Sequence, residues 1–125
     1  MSKNLNLGVT DGQLARLPSS PNAVSSQTDQ STKQVQALPL KGSMAETNAA
    51  IIDCLAKMGG NTIAAQTDEY IHTVFTSRLL RFKDDVEFYI DATAGQVHFR
   101  SSSRVGHSDL GANRKRYQTF RSFYQ

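Results

Sequence analysis

The chain has 125 residues, 38% apolar, 20% charged and 8% aromatic, enough for one modest core and too few for two full domains. Fourteen Lys and Arg against eleven Asp and Glu give a formal charge of +3, an excess that permits an anionic partner without requiring one. No window approaches the roughly 18 consecutive apolar residues of a membrane span, and the single cysteine, Cys54, excludes an intrachain disulfide and a zinc-type Cys pair.

Met1 to Gly12 holds one Lys and no long apolar run, so no secretory signal is expected and the cytoplasm is the expected compartment. The charges are segregated. Residues 1–41 hold four basic and two acidic groups, residues 42–99 four and eight, and residues 100–125 six and one. The basic end either neutralises the acidic middle within the fold or faces a partner.

Ser19 to Lys33 reads SSPNAVSSQTDQSTK, with two apolar side chains, and predicts a loosely held arm because it cannot offset its ordering entropy by burial. The expected organisation is a polar N-terminal arm over 1–33 and one domain over 34–125. Val35, Ala37 and Leu38 to Leu40 predict a short edge strand that Pro39 limits. A helix over about 43–58 follows. Ser43 and Glu46 have capping-box spacing, Met44, Ile51, Ile52, Leu55 and Met58 share one face, and Gly59 and Gly60 end it. Cys54 sits beside that apolar stripe, which predicts a buried, inert thiol.

Thr62 to Gln66 and Tyr70 to Ser77 predict two strands of a meander turning at Thr67 to Glu69. Val86, Phe88 and Ile90 then alternate with Asp85, Glu87, Tyr89 and Asp91, while Val97 and Phe99 alternate with Gln96, His98 and Arg100. If Ala92 to Gly95 closes a hairpin, Phe88 faces Phe99, Ile90 faces Val97, Glu87 faces Arg100 and Tyr89 faces His98. A slip of one residue would spoil both the apolar and the charge pairing. A last helix, capped by Ser108 or Asp109, carries Leu110, Asn113, Tyr117, Phe120 and Tyr124 on one stripe. The expected fold is α+β: an antiparallel sheet of about four strands with two helices on one face, in the order helix, strands, helix.

Chemistry concentrates in Arg100 to Arg116, RSSSRVGHSDLGANRKR. Hydroxyls, glycines, guanidinium groups and a helix start favour phosphate, sulfate or carboxylate, so the expected ligand-binding set is Arg100, Ser101, Ser103, Arg104, Asp109, Asn113, Arg114 and Arg116. Asp109 would compete for the same helix N–H groups. The opposing reading pairs Arg100 and Arg104 with Glu87, Asp84 or Asp85 and leaves a structural protein. A hydrolase-like site of Ser103, His107 and Asp109 would have to converge from one loop without a nucleophile elbow. A metal site of Asp84, Asp85 and His107 has too few ligands for a hard cation, and no metal or cofactor is expected. Tyr117, Phe120 and Tyr124 have the spacing of a core face rather than a base-stacking platform, which disfavours nucleic acid.

SPNAVSSQ at Ser20 to Gln27, KDDVEFYID at Lys83 to Asp91 and the Arg100 to Arg116 segment resemble the domain-of-unknown-function family 1499 over Gly8 to Arg121. Its members occur in bacteria, cyanobacteria and plastid-bearing eukaryotes. The resemblance rests on Arg-Ser, Ser-Arg, Gly, Asp, Gly and Asn-Arg in fixed order. It implies that the SPNAVSSQ stretch docks on the fold near the basic segment, and it implies no activity. Leu17 and Ala23 stand where many relatives have cysteines, and His107 where many have an aromatic residue, so the resemblance implies no catalytic role for His107. Taken together, these readings predict a non-enzymatic module for a small anion or an acidic protein surface.

Overall fold

The computed structural model describes residues 7–18, 22–79, 81–104 and 111–125. A two-stranded ribbon, β1 (Val9–Thr10) and β2 (Gln13–Leu14), comes first. It turns through Asp11 and Gly12 with φ of 52° and 75°, the doubly left-handed turn that an Asp-Gly pair favours. There follow β3 (Ala23–Ser25), a single 3-10 turn at Ser31–Lys33, β4 (Leu38–Pro39) and helix α1 (Met44–Met58). A meander of β5 (Asn61–Gln66), β6 (Tyr70–Thr76), β7 (Lys83–Asp91) and β8 (Gln96–Ser103) leads to helix α2 (Ala112–Tyr124).

The sheet has six strands among the described residues: the path β3-β8-β7-β6-β5 is antiparallel throughout, and β4 also pairs with β8. The fold is therefore α+β, with two strands more than the four expected. The additional pair, β3 and β4, divides the outer edge of β8, with Ala23 to Ser25 against Arg100 to Ser102 and Leu38–Pro39 against Val97 and Gln96. The short strand expected around Leu38 is thus present, whereas β3 corrects the loose arm expected over 19–33. Ala23, Val24 and Ser25 are buried because β8 offers them an open ladder. The polar side chains beside them also find partners: Ser26 Oγ accepts from Phe99 N–H at 2.9 Å, and Gln27 Nε2 donates to Gly12 O at 3.0 Å.

The β7–β8 register is the predicted one, with Phe88 opposite Phe99, Ile90 opposite Val97, Glu87 opposite Arg100 and Tyr89 opposite His98. Its apolar face meets the helices. Phe88 lies 4.7 Å from Phe120 and Phe99 5.1 Å from Tyr117 between ring centroids, and Ile51 and Leu55 of α1 close the same core. The Cys54 thiol is buried there, and burial pushes its pKa up, which keeps it an unreactive thiol.

Helix α1 starts as its capping box predicts. Helix α2 differs: its N-cap is Gly111, at φ 83°, in place of Ser108 or Asp109. Those two residues and Leu110 lie outside the described residues, while Asn113, Tyr117, Phe120 and Tyr124 form the buried stripe. Among the described residues no helix is long and apolar enough to cross a membrane.

Candidate functional site

Because strand residues alternate between faces, neighbouring carboxylates on β7 are sent to opposite sides of the sheet. Glu87 and Asp85 project away from the helices, Asp84 towards them. Each meets an arginine.

Glu87 is fully buried and faces Arg100 across the ladder, with Arg100 Nη1 donating to Oε2 at 3.2 Å. Its other oxygen, Oε1, accepts from Tyr70 Oη at 2.6 Å and from Gly8 N–H at 2.7 Å. Arg100 also donates from Nε to Ala15 O at 2.8 Å, from Nη2 to Arg16 O at 3.1 Å and from Nη1 to Ser102 Oγ at 3.1 Å. This arrangement holds the N-terminal strand pair and its following segment over the helix-free face. Burial, and then the hydrogen bond to Glu87, push the Tyr70 hydroxyl far above its ordinary pKa, so it stays a proton donor.

Asp85 accepts a fork from Arg104, Nε to Oδ2 and Nη2 to Oδ1, both at 2.9 Å, and His72 Nε2 lies 2.8 Å from Oδ1. Burial alone would raise its pKa, but hydrogen bonds from Arg104 and His72 outweigh that and hold the carboxyl at about 2. Asp84 receives Arg116 Nη1 at 2.7 Å, and the Arg116 guanidinium lies over the Phe75 ring at 4.8 Å.

Asn113, fully buried at the start of α2, is the junction of three segments. Its Nδ2 donates to Asn22 O at 3.0 Å and to Ser103 Oγ at 2.9 Å, and its Oδ1 accepts from Arg116 Nη1 at 3.0 Å and from the Ser101 hydroxyl. The described part of the SPNAVSSQ stretch, Asn22 to Gln27, therefore docks beside the start of the basic segment, through Asn22 and the β3–β8 ladder. Arg114 reaches elsewhere, donating to Thr32 O at 2.8 Å and Gln34 O at 3.3 Å.

The expected binding set does not share one cavity. Ser101, Ser103, Asn113 and Arg116 meet on the helix side, Arg100 and Arg104 serve carboxylates on the other face, and Arg114 ties α2 to the 3-10 turn. Asp109 lies outside the described residues. Three hollows, of about 540, 350 and 540 Å³, are lined by other groups: Met44, Asn48 and Asp68; Gln13, Leu17 and Asp29; Ser26, Gln36 and His98.

Tyr70, His72 and Asn22 join these networks although the expected set omits them. The period-two pattern of β6 puts Tyr70 and His72 on one face, and the β6–β7 register, with His72 against Glu87, was the missing step. Of the hydrolase set, Ser103 Oγ accepts from Asn113, and His107 and Asp109 lie outside the described residues. The same holds for His107 in the metal set, where Asp84 and Asp85 diverge to different arginines. Among the described residues no three His, Cys, Asp or Glu side chains gather as a metal site.

Residues 13–123 match the family described as Protein of unknown function (DUF1499), which covers most of the chain. The chain belongs to this family. No curated protein and no solved structure matches it at a significant level. Within this DUF1499 chain, Asn22, Asp84, Asp85, Arg100, Ser101, Ser103, Arg104, Asn113 and Arg116 of the networks above fall in the three stretches that resemble the family.

Proposed function

We propose that this DUF1499 chain is a non-enzymatic module whose Arg-Ser-Asn segment is architecture, a clamp that fastens the N-terminal residues and α2 to the sheet. The observation that carries this reading is the fate of the arginines: Arg100, Arg104 and Arg116 each bond a buried carboxylate, and Arg114 bonds two backbone carbonyls. A group so engaged has little charge left for a ligand.

The test couples stability to binding. Breaking a buried pair from one side leaves an uncompensated charge, so Arg100→Met lowers stability by about 3–5 kcal/mol in urea unfolding. Replacing both partners, Arg100→Met with Glu87→Met, recovers part of that loss. Calorimetric titration with phosphate, nucleotides and carboxylates gives no heat of binding under this reading.

A second reading places a small anion at Arg104, favoured by a guanidinium that is 35% exposed and whose Nη1 has no hydrogen-bond partner among the described residues. Phosphate binding that vanishes in Arg104→Ala, with the thermal midpoint unchanged, would replace the clamp by this site.

A further inference from the structure

The loop joining β6 to β7 is built against the usual rule for a surface. Residues 78–83 read Arg-Leu-Leu-Arg-Phe-Lys, three large apolar side chains interleaved with three cations and no acid. Leu79 is 92% exposed and Phe82 44%, and Arg78, Arg81 and Lys83 are exposed beside them. Of the exposed large apolar side chains among the described residues, which are Ile63, Leu79, Phe82 and Phe123, two therefore fall in this one tip. Among the described residues no carboxylate pairs with its three cations.

Leu80 lies outside the described residues, and the residues on either side of it are bonded to one another. Ser77 N–H donates to Phe82 O at 2.9 Å, Arg81 N–H to Ser77 O at 3.2 Å, and Phe82 N–H to Ser77 Oγ at 2.9 Å, with Arg81 in the left-handed region at φ 57°. A preformed projection of this kind loses little entropy when it inserts.

Charge across the molecule agrees with it. At the tip's end of the sheet Asp84 and Asp85 are buried and neutralised by Arg116 and Arg104. Asp68, Glu69 and Asp91 carry no ion pair among the described residues and gather at the opposite end, where Ile90 N–H meets Glu69 O at 2.8 Å. Among the described residues the sheet thus presents a positive, apolar-tipped end and a negative far end.

We propose that the β6–β7 tip docks this protein on an anionic bilayer surface, with Leu79 and Phe82 entering the interface and Arg78, Arg81 and Lys83 meeting lipid headgroups. Neither component alone suffices for stable attachment. An apolar anchor and a basic cluster together supply the two signals that peripheral attachment needs. The inference is independent of the clamp, whose arginines it does not use.

The chain has no tryptophan, so Leu79→Trp introduces a sole reporter at an exposed position. Its emission is expected to shift to the blue, and to be quenched by bromine-labelled acyl chains, with phosphatidylcholine vesicles containing phosphatidylserine but not with phosphatidylcholine alone. Ala94→Trp, in the exposed turn at the opposite end, is expected to stay unshifted. Adding Arg78→Gln and Arg81→Gln to the reporter variant should weaken partitioning by about fivefold per charge, and added salt should weaken it further. Absence of vesicle binding, binding unaffected by the two glutamines, or a blue shift with a soluble polyanion and none with vesicles would each overturn the proposal. The last result would make the tip a nucleic-acid or protein contact.

Discussion

Asp85 is a case in which burial and partner geometry pull in opposite directions, and the geometry wins. Loss of water favours the neutral acid, yet a fork from Arg104 and a bond from His72 hold the carboxyl at about 2, against an ordinary 3.8. A carboxyl whose pKa is depressed on folding adds stability that is complete above its unfolded pKa and disappears as acid protonates the folded form. The contribution, about 2 kcal/mol on this difference, is therefore present at neutral pH and lost between about pH 4 and pH 2. In urea unfolding across that window, Asp85→Asn should show a shallower loss of stability than the parent. Equal slopes would mean that the carboxyl is not held down by its neighbours. Cys54, by contrast, is moved mainly by burial, with the Asp53 carboxylate adding to the rise.

Elements differ in how much of their cause is local. The start of α1 is local: Ser43 Oγ accepts from Glu46 N–H at 3.1 Å and Glu46 Oε1 accepts from Ser43 N–H at 2.8 Å. The backbone and side-chain hydrogen bonds with Ser43 lower the Glu46 pKa. Ser43→Ala should cost about 1 kcal/mol and lower the thermal midpoint by about 4 °C, read by circular dichroism. An unchanged midpoint would show that tertiary packing alone fixes that end. This box was legible because both partners lie three residues apart, and the β7–β8 register was legible because one short turn joins strands whose apolar and charged faces agree only once. Strand β3 was not. Asn22, Ser25 and Ser26 carry no apolar alternation, and what orders them is the free edge of β8, far along the chain. The first ribbon had a signal in Asp11-Gly12, a dipeptide suited to its turn. For the site, the residue types in Arg100 to Arg116 suggested an external phosphate, sulfate or carboxylate, whereas the groups found at Arg100, Arg104 and Arg116 are carboxylates of the opposing reading, Glu87, Asp85 and Asp84. That the carboxylates are the protein's own depends on the pleat, which sends Asp84 and Asp85 to different faces.

At the scale of the whole molecule the sheet has unequal covers. Two helices close one face, and a short N-terminal segment crosses the other, held by few groups. Arg100 supplies two of them, donating to Ala15 O and Arg16 O. Gly8 N–H on Glu87, Gln27 on Leu14 N–H and Gly12 O, and Lys33 Nζ on Pro18 O at 2.8 Å supply others, with Leu14 and Leu17 buried beneath. Ordering that segment costs about 1 kcal/mol or more per residue, comparable to what two buried leucines and a few hydrogen bonds return, so it should open separately from the core. Its latch is then testable by trypsin. Arg16 has an exposed side chain, but its carbonyl is turned inward to Arg100, and cleavage requires an extended, accessible backbone. In the Arg100→Met, Glu87→Met variant the latch is gone while the buried charge is removed with it. Release of residues 1–16, followed by mass spectrometry at temperatures equally far below each protein's midpoint, should be faster than in the parent. Equal release rates would mean that the leucines alone secure the cover, and that the arginine beneath it fastens nothing but its own carboxylate.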